Sequence, residues 1–163
     1  MKQFFLKMKI AIITIGKTAS KSVSEIENDY FGRLKHYCNF EKICIPAIKS
    51  AKSISTEELK KEEGKLILRT VTNDDFVVLL DEKGKEFSSL EFAQWVEKQQ
   101  HTVKNMVFVI GGAYGFSKEI YDRANFLLSL SKMTFSHQIV RAIFAEQLYR
   151  SMTIIKGEKY HHK

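Results

Sequence analysis

The chain has 163 residues, 44% of them hydrophobic, enough for one compact domain with a substantial core and too few for two comfortable ones. Twenty-six Lys plus Arg against 19 Asp plus Glu give a formal charge of +7 and a pI near 9.3, a balance that favours a polyanionic partner through counterion release. Two cysteines, Cys38 and Cys44, exclude a disulfide scaffold and lack metal-site spacing, and no apolar run approaches membrane-spanning length.

Residues 1–7, MKQFFLK, are too short for a secretion signal and lack a small-residue cleavage site, so the chain is expected to be soluble and cytoplasmic. Ile10 to Ile15 is a β-branched block closed by Gly16 and reads as a buried strand. Val23, Ile26, Tyr30 and Leu34 recur at helical spacing and predict an amphipathic helix. Cys38 precedes and Cys44 lies within the next strand, Phe40 to Ile45, which Pro46 stops; both thiols read as core residues of a reducing compartment. Ser55 and Glu58 form a capping box that opens a charged helix reaching about Leu68.

Phe76 to Leu80 is wholly apolar, the mark of a central strand covered on both faces. Ser88 and Glu91 make a second capping box, with Leu90, Ala93 and Val96 on one side of the helix that follows. Val107 to Ile110 is a fourth strand, Ser117 is placed to cap another helix, Phe126 to Leu130 is a short fifth strand, and a long helix runs from Ser136. Alternation of strand and helix predicts a single α/β domain, its sheet mainly parallel with helices on both faces. In such sheets ligands sit beyond the carboxyl ends of strands, which nominates the loops after Leu80, Ile110 and Leu130.

Gly111, Gly112 and Gly115 follow a strand and precede a helix, where glycines let backbone approach a ligand. Their GGxxG spacing is not the GxGxxG of dinucleotide folds, and no acid follows at the distance that would hold a ribose. The last helix carries apolar residues around its whole circumference, so it must be covered on more than one side, and a second subunit would cover it economically. Polar residues are threaded through it: His137 and Arg141 share one side, Glu146 and Arg150 roughly the opposite one.

These stretches together, VFVIGGAYGFS (107–117), LSLSKMTFSHQIVRAIFAEQLYRS (128–151), LDEKGKEFSS and the terminal KGEKYHHK, closely resemble the ribosomal large-subunit methyltransferase H family. Tyr30, Arg33 and Leu34 in the first helix and Glu62, Glu63 and Gly64 in the second extend the resemblance, which runs from about Met8 to the C-terminus. It implies the SPOUT class: an α/β fold with a C-terminal trefoil knot, acting as a homodimer that methylates ring nitrogen 3 of a pseudouridine in 23S rRNA of the assembled ribosome, with S-adenosylmethionine as donor and no metal. Residues 1–7 are then an extension before a family-like start at Met8, expected to be dispensable.

Carried over by position, the resemblance makes Leu80, Gly111, Gly112, Leu130, Ser131, Lys132, Met133, Thr134 and Phe135 the cofactor site. The substrate imide is a poor nucleophile while protonated, so a base or a stabilising cation is needed, and His137, Arg141, Glu146, Tyr149, Arg150, Tyr160 and His161 are the candidates. Arg141 and Arg150 are expected to hold phosphate or ring oxygens, Tyr160 to stack on a base, and the tail to order only with RNA. The tail departs from the family in ending Tyr160-His161-His162-Lys163, which leaves open which imidazole faces the substrate. The alternatives are a methyltransferase of the same fold acting on tRNA and a non-catalytic ribosome-binding factor.

Overall fold

The computed structural model describes residues 8–162; the expectation for residues 1–7 lies outside them. The elements, in order, are β1 (Lys9–Ile15), α1 (Lys21–Leu34), β2 (Asn39–Ile45), α2 (Thr56–Thr70), β3 (Asp75–Glu86), α3 (Ser89–Gln99), β4 (Asn105–Ile110), α4 (Lys118–Arg123), β5 (Phe126–Ser129) and α5 (Ile139–Ile155). Five parallel strands form one sheet in the order β2-β1-β4-β3-β5. The α/β architecture expected from the sequence is the one observed.

Strand periodicity divides the core in two. Ile10, Ile12, Val78, Met106, Phe108 and Ile110 face one layer, where α1, α3 and α5 contribute Phe31, Leu34, Phe92, Val96, Phe144 and Leu148. Ala11, Ile13, Val77, Leu79, Val107 and Val109 face the other, packed on Ile67 of α2 and Ile120 of α4. Central strands buried on both faces therefore read as continuous apolar runs. Capping boxes open α2 and α3 as expected, at Ser55/Glu58 and Ser88/Glu91.

Several details differ from the sequence reading. Ile26 is 48% exposed and Glu27 is buried in its place, because Glu27 has partners inside: Thr18 donates to it at 2.6 Å and Lys42 forms an ion pair with it. Leu90 is exposed, and Phe92 joins Ala93 and Val96 in the core. Cys44 is exposed; only Cys38 is partly buried, its thiol pushed up to about 12 by burial. Ser117 precedes α4 but makes no side-chain cap, and its hydroxyl is buried without a partner. Phe144, on the helix expected to need a second subunit's cover, lies fully buried between Phe108 and Phe92 of its own chain. The apolar circumference of α5 is thus covered largely by α1, α3 and the sheet.

β3 runs beyond Leu80, the expected end. Leu128 of β5 is the register partner of both Leu80 and Lys85, so Asp81–Gly84 are looped out beside the exit of β5. Gly84 is pressed onto that exit: a Cβ there would stand 2.5 Å from the Leu127 carbonyl carbon.

Candidate active site

The carboxyl ends of β3, β4 and β5 open onto one cavity of about 440 Å³, within the size range of small-molecule sites. The three loops nominated from the sequence line it, and of the expected cofactor residues all but Lys132 stand on its wall. Leu80 and Leu130 supply apolar surface, and Gly111 and Gly112 supply backbone. Residues 130–136 belong to no helix or strand, so few of their main-chain groups are consumed by a ladder. Their bend is shaped locally: Ser129 Oγ donates to the Ser131 carbonyl at 3.0 Å, and Ser131 Oγ accepts from the Met133 N–H at 3.0 Å. Thr134 donates to Glu82 at 2.9 Å, and Tyr121 donates to Asp81, which tie the bend and α4 to the looped-out part of β3. Met133 is 76% exposed at the rim.

The glycines are required for reasons more specific than closeness to a ligand. A Cβ on Gly111 would meet the Phe116 ring at 3.0 Å, and one on Gly112 would meet the Glu63 carboxyl at 2.7 Å. Of these three glycines, Gly115 is the one with a left-handed backbone, at φ +82°. Behind this turn lies a second cavity, of about 470 Å³, that shares Gly112, Ala113, Tyr114 and His137 with the first.

His137 borders both cavities, and its imidazole is lowered by burial and by the neighbouring Arg141 cation, so it stays neutral at physiological pH. Arg141 does not face a substrate. It is fully buried and donates to the carbonyls of Ile15 (2.6 Å), Gly16 (2.9 Å) and His137 (3.0 Å) and to Thr18 Oγ1 (3.2 Å). Its guanidinium pins the start of α5 to the end of β1, and the Ala19 N–H donating to Gln138 at 2.7 Å adds to the clasp. The expectation that Arg141 holds phosphate is corrected on that ground.

The remaining candidates gather elsewhere. Arg150 donates twice to Glu146 Oε1, at 2.6 and 3.0 Å, and Tyr160 donates to the same oxygen at 3.0 Å. Arg150 also lies over the Tyr160 ring and 3.4 Å from His161 Nδ1, while Tyr149 meets Tyr160 edge-on at 4.9 Å. The carboxylate of Glu146 raises Arg150; burial first, then hydrogen bonds with Tyr30 and Glu146, raise Tyr160. The tail contacts its own chain, and His161, rather than exposed His162, is the imidazole turned toward Arg150. Beside it Arg33, His36, Tyr37, Tyr149 and Lys156 line a basic, aromatic groove with Glu158. Arg141 and Arg150 are nine residues apart, about 14 Å along the helix and on roughly opposite sides of it. One chain thus keeps the two groups of candidate residues apart.

The sequence reading did not place Tyr30, which bonds Tyr160 at 3.2 Å, or Glu63, which is buried and lines the second cavity, among the site candidates. A signal for the latter existed: Glu63 shares helical spacing with buried Leu59 and Ile67, a carboxylate on an apolar face.

A parallel sheet with a ligand-sized cavity at its carboxyl ends defines a class, and residues 8–161 match the family described as Predicted SPOUT methyltransferase, to which the chain belongs. Among relatives, proteins named Ribosomal RNA large subunit methyltransferase H are 52% identical in Phocaeicola vulgatus and 53% identical in Parabacteroides distasonis, each over 96% of this chain and 100% of theirs. Among solved structures, a probable methylase family protein from Haemophilus influenzae superposes with a TM-score of 0.53 at 11% identity, covering 96% of this chain and 71% of that one. A putative methylase family protein from Neisseria gonorrhoeae gives 0.52 at 11%, covering 91% and 84%. These two establish the fold. Membership in a methyltransferase family implies a methyl donor.

Proposed function

We propose that the protein methylates ring nitrogen 3 of a pseudouridine in the 23S rRNA of the assembled large subunit, using S-adenosylmethionine. The observation that carries the reading is the cavity at the ends of β3, β4 and β5, walled by Leu80, the Gly111–Gly112 backbone and the 130–135 bend, in a chain about half identical to proteins named for rRNA methylation. Its apolar walls and free main-chain groups suit an adenosyl moiety, which hydrogen-bonds through ring edges. The same reading includes a threaded C-terminal segment, supported by the looped-out Asp81–Gly84 beside the exit of β5.

The donor, when bound, supplies a methyl carbon activated by an adjacent sulfonium. The protein's task is then alignment and proton management. His137, neutral at the rim, accepts the imide proton. Arg150, fixed by Glu146, and Tyr160 hold the target ring and spread the charge that develops on it. Because these groups stand apart from the cavity in one chain, a homodimer in which one subunit's tail cluster faces the other's cavity completes the site. Met133, Phe135 and Ile139, apolar yet exposed around the rim, support such a contact. The basic groove at Arg33 and Lys156 suits single-stranded RNA next to the target, and a ribosomal substrate fits a cytoplasmic protein.

The test is mass spectrometry of rRNA and tRNA from a strain lacking the gene. Loss of one methyl from a 23S pseudouridine, restored by the wild-type gene, is the expected result. A methyl lost from tRNA instead, or none lost from either, overturns the assignment.

A further inference from the structure

Glu63 has no use in the scheme above. It is 8% exposed, and among the described residues no hydrogen bond or ion pair reaches its carboxyl; burial alone pushes that carboxyl up. Its oxygens, short of full burial, open onto the cavity beside them, and a partly desolvated carboxylate without a partner is costly unless something else repays it. Its position is informative. The carboxyl lies directly behind Gly112, where any Cβ would collide with it, and it lines the second cavity together with Ile15, Ala47, Ile54 and Leu59. The basic groups on that wall are Lys52 and His137.

A lone carboxylate does not make a metal site, and among the described residues no group of three metal-ligating side chains exists. A compact organic cation fits better, provided that it enters from the first cavity through the shared Gly112–Tyr114 turn and brings an alkyl stem for the apolar wall. The donor read above ends in such a group: a short alkyl arm bearing an ammonium and a carboxylate on one carbon.

We propose that the second cavity seats the amino-acid arm of the methyl donor, with Glu63 receiving its α-ammonium and Lys52 facing its carboxylate. The inference rests on the donor reading of the first cavity. It gives Gly112 a second purpose: the missing side chain leaves Glu63 against the main chain where the two cavities adjoin. Glu63 is a binding residue in this scheme and takes no part in methyl transfer.

Calorimetry on the full chain tests it without turnover. S-adenosylhomocysteine carries the arm, its desamino analogue lacks only the ammonium, and 5′-methylthioadenosine lacks the arm altogether. Wild type is expected to bind S-adenosylhomocysteine roughly ten- to a hundredfold more tightly than the desamino analogue, the range for losing a charge-assisted hydrogen bond. Glu63→Gln should abolish that preference, leave methylthioadenosine binding unchanged, and melt no lower than wild type. Equal affinity of wild type for S-adenosylhomocysteine and its desamino analogue overturns the proposal and needs no variant. So does a folded Glu63→Gln that weakens all three ligands in parallel. A wild type that binds none of them overturns the donor reading and takes this inference with it.

Discussion

At the scale of single residues, two of the buried charged side chains, Arg141 and Glu63, behave oppositely. Arg141 satisfies its surroundings: the carbonyls of Ile15, Gly16 and His137 have it as donor. Arg141→Met keeps the volume and strands those acceptors, of which only the Ile15 bond is wholly buried, so water can relieve the others. A loss of about 2–4 kcal/mol in urea unfolding is expected, with weakened donor affinity as a consequence of the released loop; an unchanged midpoint would contradict the clasp. Glu63 is unsatisfied, and its folded-state carboxyl is raised by burial. Between the ordinary glutamate value, about 4.3, and that raised value the folded chain binds more protons than the unfolded one. Stability attributable to this group therefore falls as pH rises through the window. Urea midpoints of ligand-free wild type and Glu63→Gln should converge at the acid end and separate above the window with the variant the more stable; parallel curves would show that Glu63 is not buried as a carboxylate.

At the scale of elements, two glycines inside regular elements diverge. Gly84 sits where β3 loops past β5, and a Cβ there would stand 2.5–2.6 Å from Leu127 and Leu128 main-chain atoms, which cannot move without breaking the register. Gly32 lies inside α1 with open space around it. Gly84→Ala should cost about 1–3 kcal/mol or prevent folding, whereas Gly32→Ala should stabilise by about 0.5–1 kcal/mol; thermal melts of the two variants against wild type decide it. The sheet and most helices were legible because their apolar spacing and capping boxes are local. The extension of β3, the Glu27-for-Ile26 exchange and the Arg141 clasp were not. Each depends on a partner far along the chain: β5 for Gly84, Lys42 for Glu27, Ile15 for Arg141. The cavity was legible through its glycines and the rule of carboxyl strand ends, while its companion behind Gly112 required knowing what α2 places there.

At the scale of the whole molecule, the separation of the half-sites sets the strongest demand on assembly. His137 and the 130–135 bend stand at one cavity, and Glu146, Arg150, Tyr160 and His161 form a preassembled cluster farther along α5, on another side of the helix. In-line transfer needs acceptor and donor atoms within contact distance, and the proposed homodimer meets that need by bringing one subunit's tail cluster to the other's cavity. Truncation after Gly157 removes Tyr160 and His161 and leaves the cavity untouched. Ser131→Arg fills the cavity from its half-exposed bend and leaves the tail untouched. Each variant should be inactive on ribosomes, the truncated one retaining donor affinity and the substituted one losing it. Co-refolded, they should recover methylation, because one of the two sites in a mixed dimer pairs an intact cavity with an intact tail. Active truncated chain would remove the tail from catalysis; an inactive mixture, shown by native mass spectrometry to contain the mixed dimer, would place both half-sites in the service of a single subunit.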